Sequence, residues 1–282
     1  MTESKTLVAA GAALVLLAAI PARAQQAPGQ PPAAPAAAPS SDAAALAKQL
    51  ANPIASLVSV PFQSNWEFGV GPEEKTRYVM NFQPVMPFSL NADWNLITRV
   101  IVPLVSQPPL VSGAAPTFGI SDLVTSFFVS PVKGSLVWGV GPVLLIPATT
   151  DPFLGSERWG AGPTAVVLKQ VGPWTVGGLV NHIWSYGGNA DRAKVNQTFL
   201  QPFIAYGTKT GYTFTLQTES TANWEAASGQ KWTVPLNVQL SKVTRLGKRP
   251  MSVALSPGYF LEKPDGGPNW KIRAALTLLF PK

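Results

Sequence analysis

From about Gln63 to Phe280, bulky apolar residues fall on alternate positions, which is the period of a strand and not of a helix. Tyr78, Met80, Phe82, Pro84 and Met86 alternate with Arg77, Val79, Asn81, Gln83 and Val85. Trp94, Leu96, Thr98, Val100 and Val102 alternate with Asn95, Ile97, Arg99 and Ile101, and Trp232, Val234, Leu236, Val238 and Leu240 with Thr233, Pro235, Asn237, Gln239 and Ser241. The pattern divides into twelve segments, at about 63–70, 76–87, 94–105, 118–131, 135–147, 158–170, 173–186, 195–207, 211–221, 231–241, 251–261 and 270–280. The second face is mostly Asn, Gln, Thr, Ser and Gly. A soluble sandwich turns its bulky face to a core and a charged face to water. A polar face this poor in charge suits the lumen of a closed barrel whose outside meets lipid.

The connections alternate too. Short turns (Asn91-Ala92-Asp93, Lys133-Gly134, Val171-Gly172, Thr208 to Gly211) follow even segments, and longer polar loops (71–75, 106–117, 148–157, 187–194, 222–230, 262–269) follow odd ones. That is the asymmetry of a bacterial outer-membrane barrel, and an even strand count puts both termini in the periplasm. The 243–250 connection is long for its side, which leaves the count open by two. Trp94, Trp138 and Trp174 open odd segments at the predicted periplasmic edge. Trp159, Trp232 and Trp270 open even segments at the outer edge, and Trp184 closes an odd one there. Two indole girdles at the membrane–water interfaces follow. The expected fold is an all-β antiparallel transmembrane barrel of about twelve strands over 63–280, with a short N-terminal periplasmic helix.

Composition excludes the soluble alternative. Only 12% of the 282 residues are charged while 46% are hydrophobic, against about 25% charged in an ordinary soluble domain. After the N-terminus no apolar run reaches the ~20 residues of a spanning helix, so a closed barrel is the remaining membrane solution. Lys5, the apolar run Leu7 to Ile20 and Ala22-Arg23-Ala24 read as a signal peptide over 1–24, cleaved near Ala24. Residues 25–41 are Pro/Ala-rich and read as a disordered linker. Residues 42–52 read as a helix capped by Ser41 and stopped by Asn52-Pro53, resting in the barrel mouth or free in the periplasm.

The last segment places Trp270, Ile272, Ala274, Leu276, Leu278 and Phe280 on one face. It resembles the terminal signal read by the outer-membrane assembly machinery, with Phe280 as its aromatic residue, followed here by Pro281-Lys282. Pro84, Pro142, Pro163, Pro202, Pro235 and Pro257 lie inside predicted strands, where each removes a ladder donor, so bulges are expected. The net charge of +7, reduced to +6 once Lys5, Arg23 and Glu3 leave with the signal, lacks the clustering that nucleic acid requires. The densest group, Lys242 to Arg249, falls in a turn.

Chemistry is sparse. The one histidine, His182, and Ser185 are three apart on a strand and point to opposite faces, so they are not a nucleophile–base pair. One His and no Cys build no metal centre, and no Gly-rich stretch opens a helix to cradle phosphate. The residues therefore call for no catalytic group, metal or cofactor. The informative set is the lumen face: Glu67, Arg77, Arg99, Lys271 and Arg273 on segments that closure makes contiguous, with Asn81, Gln83 and Asn95 among them, and Gln217 and Glu219 opposite. Two readings stand: a net-positive sector that selects anionic solutes, or ion pairs, Glu67 with Arg273 or Arg77, bracing a narrow lumen.

Several stretches also match a known family. They are Asn52-Pro53 through Ser59-Val60-Pro61-Phe62-Gln63, Gln83 to Pro87 with Asp93-Trp94-Asn95-Leu96-Ile97, Trp138-Gly139-Val140-Gly141-Pro142 and Trp159-Gly160-Ala161-Gly162-Pro163. Asn223-Trp224-Glu225, Trp232-Thr233-Val234-Pro235 and Glu262 to Pro268 complete the set. Over residues 41–282 the chain resembles the outer-membrane transporter-like proteins of the meta-pathway phenol-degradation family, often mislabelled neuromedin U. The resemblance implies an outer-membrane barrel that passes small, aromatic molecules, and it carries over no catalytic residues. The expected activity is passive passage of a small solute, with outer-membrane lipid and the assembly machinery as partners. The alternatives are a blocked surface-interaction barrel and a barrel lipid hydrolase.

Overall fold

A computed structural model describes residues Pro39–Pro281, so the expected signal peptide and most of the linker lie outside the described residues. Twelve wall strands run in chain order: β1 (Val58–Val70), β2 (Lys75–Phe82, continued by Val85–Ser89), β3 (Trp94–Gln107), β4 (Thr117–Ile120, continued by Leu123–Pro131), β5 (Leu136–Ile146), β6 (Arg158–Val171), β7 (Trp174–Gly188), β8 (Asn196–Gly207), β9 (Tyr212–Thr218, continued by Ser220–Asn223), β10 (Trp232–Leu246), β11 (Arg249–Glu262) and β12 (Trp270–Phe280). Each pairs antiparallel with its neighbour in sequence, and β1 pairs β12 from Val58–Phe280 to Phe68–Trp270, which closes the sheet. Closure removes every edge and satisfies the backbone within the wall, as hydrocarbon demands.

Each of the twelve predicted segments becomes one wall strand, so the alternation was a register and not an accident of composition. The long 243–250 connection resolves physically. β10 runs on to Leu246 and β11 starts at Arg249, leaving a tight Gly247-Lys248 turn in which Gly247 takes φ +60°. β1 likewise begins at Val58, earlier than Gln63, because Ser59, Pro61 and Gln63 keep the same lumen parity as Asn65 and Glu67.

Outward residues form a broad apolar belt in which Val176, Val180, Leu236, Val238, Leu240, Val253, Leu255 and Leu276 are all exposed. A belt of this extent on a monomer requires a lipid or protein cover. Trp94 meets Trp138 edge-on at 5.9 Å and Trp174 meets Tyr206 at 4.9 Å along the end that carries the short turns. At the other end Trp270 stacks on Phe68 at 3.9 Å, Trp232 meets Trp224 at 6.1 Å, Trp184 lies against His182 at 4.0 Å, and Trp159 is exposed.

The in-strand prolines open gaps in the ladder, but a register-shifting bulge accompanies only Pro235 among them; at Pro142 and Pro163 the strands keep their register, contrary to the bulges expected there. β2 breaks at Gln83-Pro84, Pro142 stands directly opposite Pro163, and a register shift falls between Val234 and Pro235. The preceding glycines serve close approach. A Cβ on Gly141 would lie 2.0 Å from the carbonyl oxygen of Phe127, and one on Gly162 would lie 1.8 Å from that of His182. The Gly-x-Gly-Pro runs are thus places where adjacent backbones press together because the proline has removed a ladder bond.

Candidate functional site: the plugged lumen

The helix α1 spans Pro39–Leu50, three residues longer at its start than the pattern suggested. Pro39 fills a first-turn position that needs no N–H, and so the predicted Ser41 cap lies inside the helix. Of the two positions open to it, the helix takes the barrel mouth, at the end that carries the short turns. Leu46 and Leu50 pack on Ala55, Leu57 and Leu279, Ala47 is buried, and the side-chain amide of Gln170 donates to the Lys48 carbonyl at 2.9 Å. Arg245 reaches Asp42 at 3.4 Å on the exposed side.

Asn52 then turns the chain. Its Oδ1 accepts from the Ile54 N–H at 3.0 Å and its carbonyl from Ala55 N–H at 3.2 Å, an Asx turn that drives Ile54 into the lumen. There Ile54 is 3% exposed and packs with Ile97, Phe128, Val166 and Leu179, with Val85, Val137 and Phe199 around them. Gly139 makes the room, since a Cβ there would lie 3.1 Å from Ile54 Cδ1. Sequence reasoning missed this wedge because Ile54 belongs to no periodic segment. The only local signal was the Asn52-Pro53 punctuation.

The predicted lumen residues take the predicted face, but they do not act as one sector. Glu67 pairs with Arg77 at 2.7 Å, which decides between the two partners considered for it. Arg273 instead donates to Asn65 Oδ1 at 2.6 Å and grips Glu219 with both terminal nitrogens, at 2.8 and 2.6 Å. Lys271 reaches the same carboxylate at 3.3 Å. Glu219 is therefore not a separate acidic wall facing a basic one; it crosses the lumen and joins the two. It can do so because the ladder to β10 lapses at Glu219, between the Thr218–Leu236 and Thr221–Thr233 pairs, in the stretch that holds Pro235. Gln217 pairs with Gln201 at 3.0 Å, and Asn81 faces the lumen half-buried. Asn95 sits apart from the charges, at the end that carries the short turns, where it donates to Ser56 at 3.1 Å.

Arg99 differs from the other lumen cations. It donates to Gln83 Oε1 at 3.0 Å, Gln83 donates in turn to Gln63 at 3.1 Å, and Arg99 forms no ion pair among the described residues. Beside it lies a cavity of about 220 Å³, walled by Gln63, Gln83, Arg99, Gln217, Glu219, Gln239 and Arg273 and floored by Leu50, Ala51, Asn52 and Pro53. Neighbouring strands β10 and β11 bury Asn237 and Ser256 with their side-chain polar atoms unpartnered. On the outer side the loops are pinned. Asp122 accepts from Ser156 N–H at 2.6 Å, and Arg192 donates to the carbonyls of Pro152 and Gly155, both at 2.6 Å. His182 faces outward with its ring nitrogens 2.7 Å from Thr198 Oγ1 and 3.1 Å from Asn196 Oδ1, whereas Ser185 Oγ accepts from Val195 N–H.

No family model matches the chain, and no curated protein is similar to it. Among solved structures it is similar to an outer-membrane channel of Pseudomonas putida F1, with TM-score 0.61 and 17% identity over 79% of this chain and 94% of that one. The likeness shows the fold: an outer-membrane type of β-barrel. A FadL homologue of Pseudomonas aeruginosa aligns with TM-score 0.37 and 8% identity over 79% of this chain and 88% of that one.

Proposed function

We propose that the chain is a gated outer-membrane facilitator for small solutes, held shut at its periplasmic end by its own α1 and Ile54. The carrying observation is the cavity of about 220 Å³ that remains inside the wall and is floored by the plug. A barrel braced only for strength would fill that space with side chains. The plug itself is lightly held. Cavities of about 560 and 450 Å³ flank α1 on its two sides, and its polar ties to the wall are one exposed ion pair and the Gln170–Lys48 hydrogen bond. Solute would move down its gradient without a cofactor. The apolar belt between two aromatic rims supports a place in outer-membrane lipid, and β12 ending on Phe280 supports insertion by the barrel assembly machinery. The closed lumen also favours a second reading, a surface-interaction barrel that never conducts.

Single-channel conductance of the refolded mature chain separates the two. The pair Leu46→Asp and Leu50→Asp should release α1 and convert rare, small steps into sustained ones. The chain has no cysteine, so Asp42→Cys with Arg245→Cys, joined by a short bis-maleimide, should silence it. A folded but silent Leu46/Leu50 variant supports the interaction barrel.

A further inference from the structure

We infer that the lumen cavity is a binding site for a small monocarboxylate with an apolar body, its carboxylate held by Arg99. The inference rests on the facilitator reading and adds the class of solute. Six charged side chains face the lumen here: four cations (Arg77, Arg99, Lys271, Arg273) against two carboxylates (Glu67, Glu219). Both carboxylates are taken, Glu67 by Arg77 and Glu219 by Lys271 with Arg273. Arg99 lines the cavity with one of its five N–H donors committed, and that one to a neutral amide. A guanidinium presents a planar fork that fits a carboxylate in two parallel hydrogen bonds, so a bound carboxylate supplies what the protein leaves out.

The surroundings specify the rest of the solute. Val85 stands opposite Arg99 in the β2–β3 register, on the same cavity wall, and Leu50, Leu57 and Val243 line the same space. An apolar body next to the carboxylate meets these residues, while Gln83, itself held by Gln63, accepts one hydrogen bond from the guanidinium. A volume of about 220 Å³ is below the ~300–1,000 Å³ of drug-sized sites, which limits the solute to a small molecule.

The test is ligand-observed NMR on the refolded mature chain with three probes of one shape: hexanoate, neutral hexanamide and cationic hexylammonium. Hexanoate should bind at least tenfold more tightly than hexanamide, and hexylammonium should not bind. Arg99→Gln should erase the preference, and Arg99→Lys should keep part of it. Should Arg99→Gln fail to refold, Gln83→Glu places a carboxylate on Arg99 and should abolish hexanoate binding. Equal binding of hexanoate and hexanamide, or an undiminished preference in both the Arg99→Gln and Gln83→Glu chains, overturns the assignment. If the Leu46/Leu50 variant conducts while hexanoate shows no preference, only this assignment falls. If hexanoate binds and nothing conducts, the passage reading falls and the site stands.

Discussion

The two halves of the lumen wall are filled by opposite chemistry. From β3 to β7 the inward residues include Ile97, Phe128, Val143, Leu145, Val166, Leu179 and Ile183, which pack as two apolar clusters, one of them around Ile54. From β8 round to β2 they include Gln201, Gln217, Glu219, Arg273, Gln63 and Gln83, which are tied by hydrogen bonds and ion pairs, with Gln239 beside them on the cavity wall. The apolar cluster offers no directional bonds, so shape alone seats the Ile54 side chain there and that contact is separable. The polar half is specified bond by bond, and losing one partner strands another. Ile54 wedges against the first half, α1 packs through Leu46 and Leu50 on Leu57 and on Leu279 of β12, and a solute-sized polar space opens beside the second half.

Substitutions can break this contrast, and the largest effect belongs to the polar half. Glu219→Gln leaves Lys271 and Arg273 buried without their carboxylate and should cost about 3–5 kcal/mol, read as a lower urea midpoint of tryptophan fluorescence in detergent. A cost below that of Arg77→Gln would mean that the polar half is not braced as described.

In the apolar half, Phe128→Ala removes the centre of the Ile54 cluster. It should lose about 3–5 kcal/mol in the same unfolding measurement and also raise channel activity, an effect that the Glu219 change need not share. Gly139→Val fills the space that Ile54 occupies. Its expected signature is faster proteolysis of residues 39–57 with the barrel intact, and unchanged proteolysis would show that Ile54 is not seated by Gly139. The smallest effect is at the outer ion pair: Arg77→Gln, on a part-exposed pair, should change stability by less than about 1 kcal/mol. A larger loss would extend the braced region to the outer end.

How much of this was legible follows from the kind of signal each feature leaves. Strand number, the lumen face and the indole girdles were readable because a two-residue period against lipid constrains every second residue separately. Trp94, Trp138 and Trp270 mark strand ends without reference to any distant contact. The pairing of Glu67 with Arg77 was within reach for a similar reason, since the two face each other across one hairpin. Arg273 with Glu219 was not, because that contact crosses the lumen and depends on how far the wall curves. Asn95 shared the parity of Arg99 and was grouped with it, yet parity fixes the face and not the height, and the two work at different levels.

The sequence by itself therefore determined a closed wall of about twelve strands and its inside and outside, because local alternation carries that information residue by residue. Only the tertiary structure decided that α1 enters the mouth, that Ile54 wedges against Phe128, and that Arg99 is, among the described residues, the lumen cation without an ion pair. Those facts depend on which side chains meet across a lumen a few residues wide, and no local pattern along the chain encodes a distance across it.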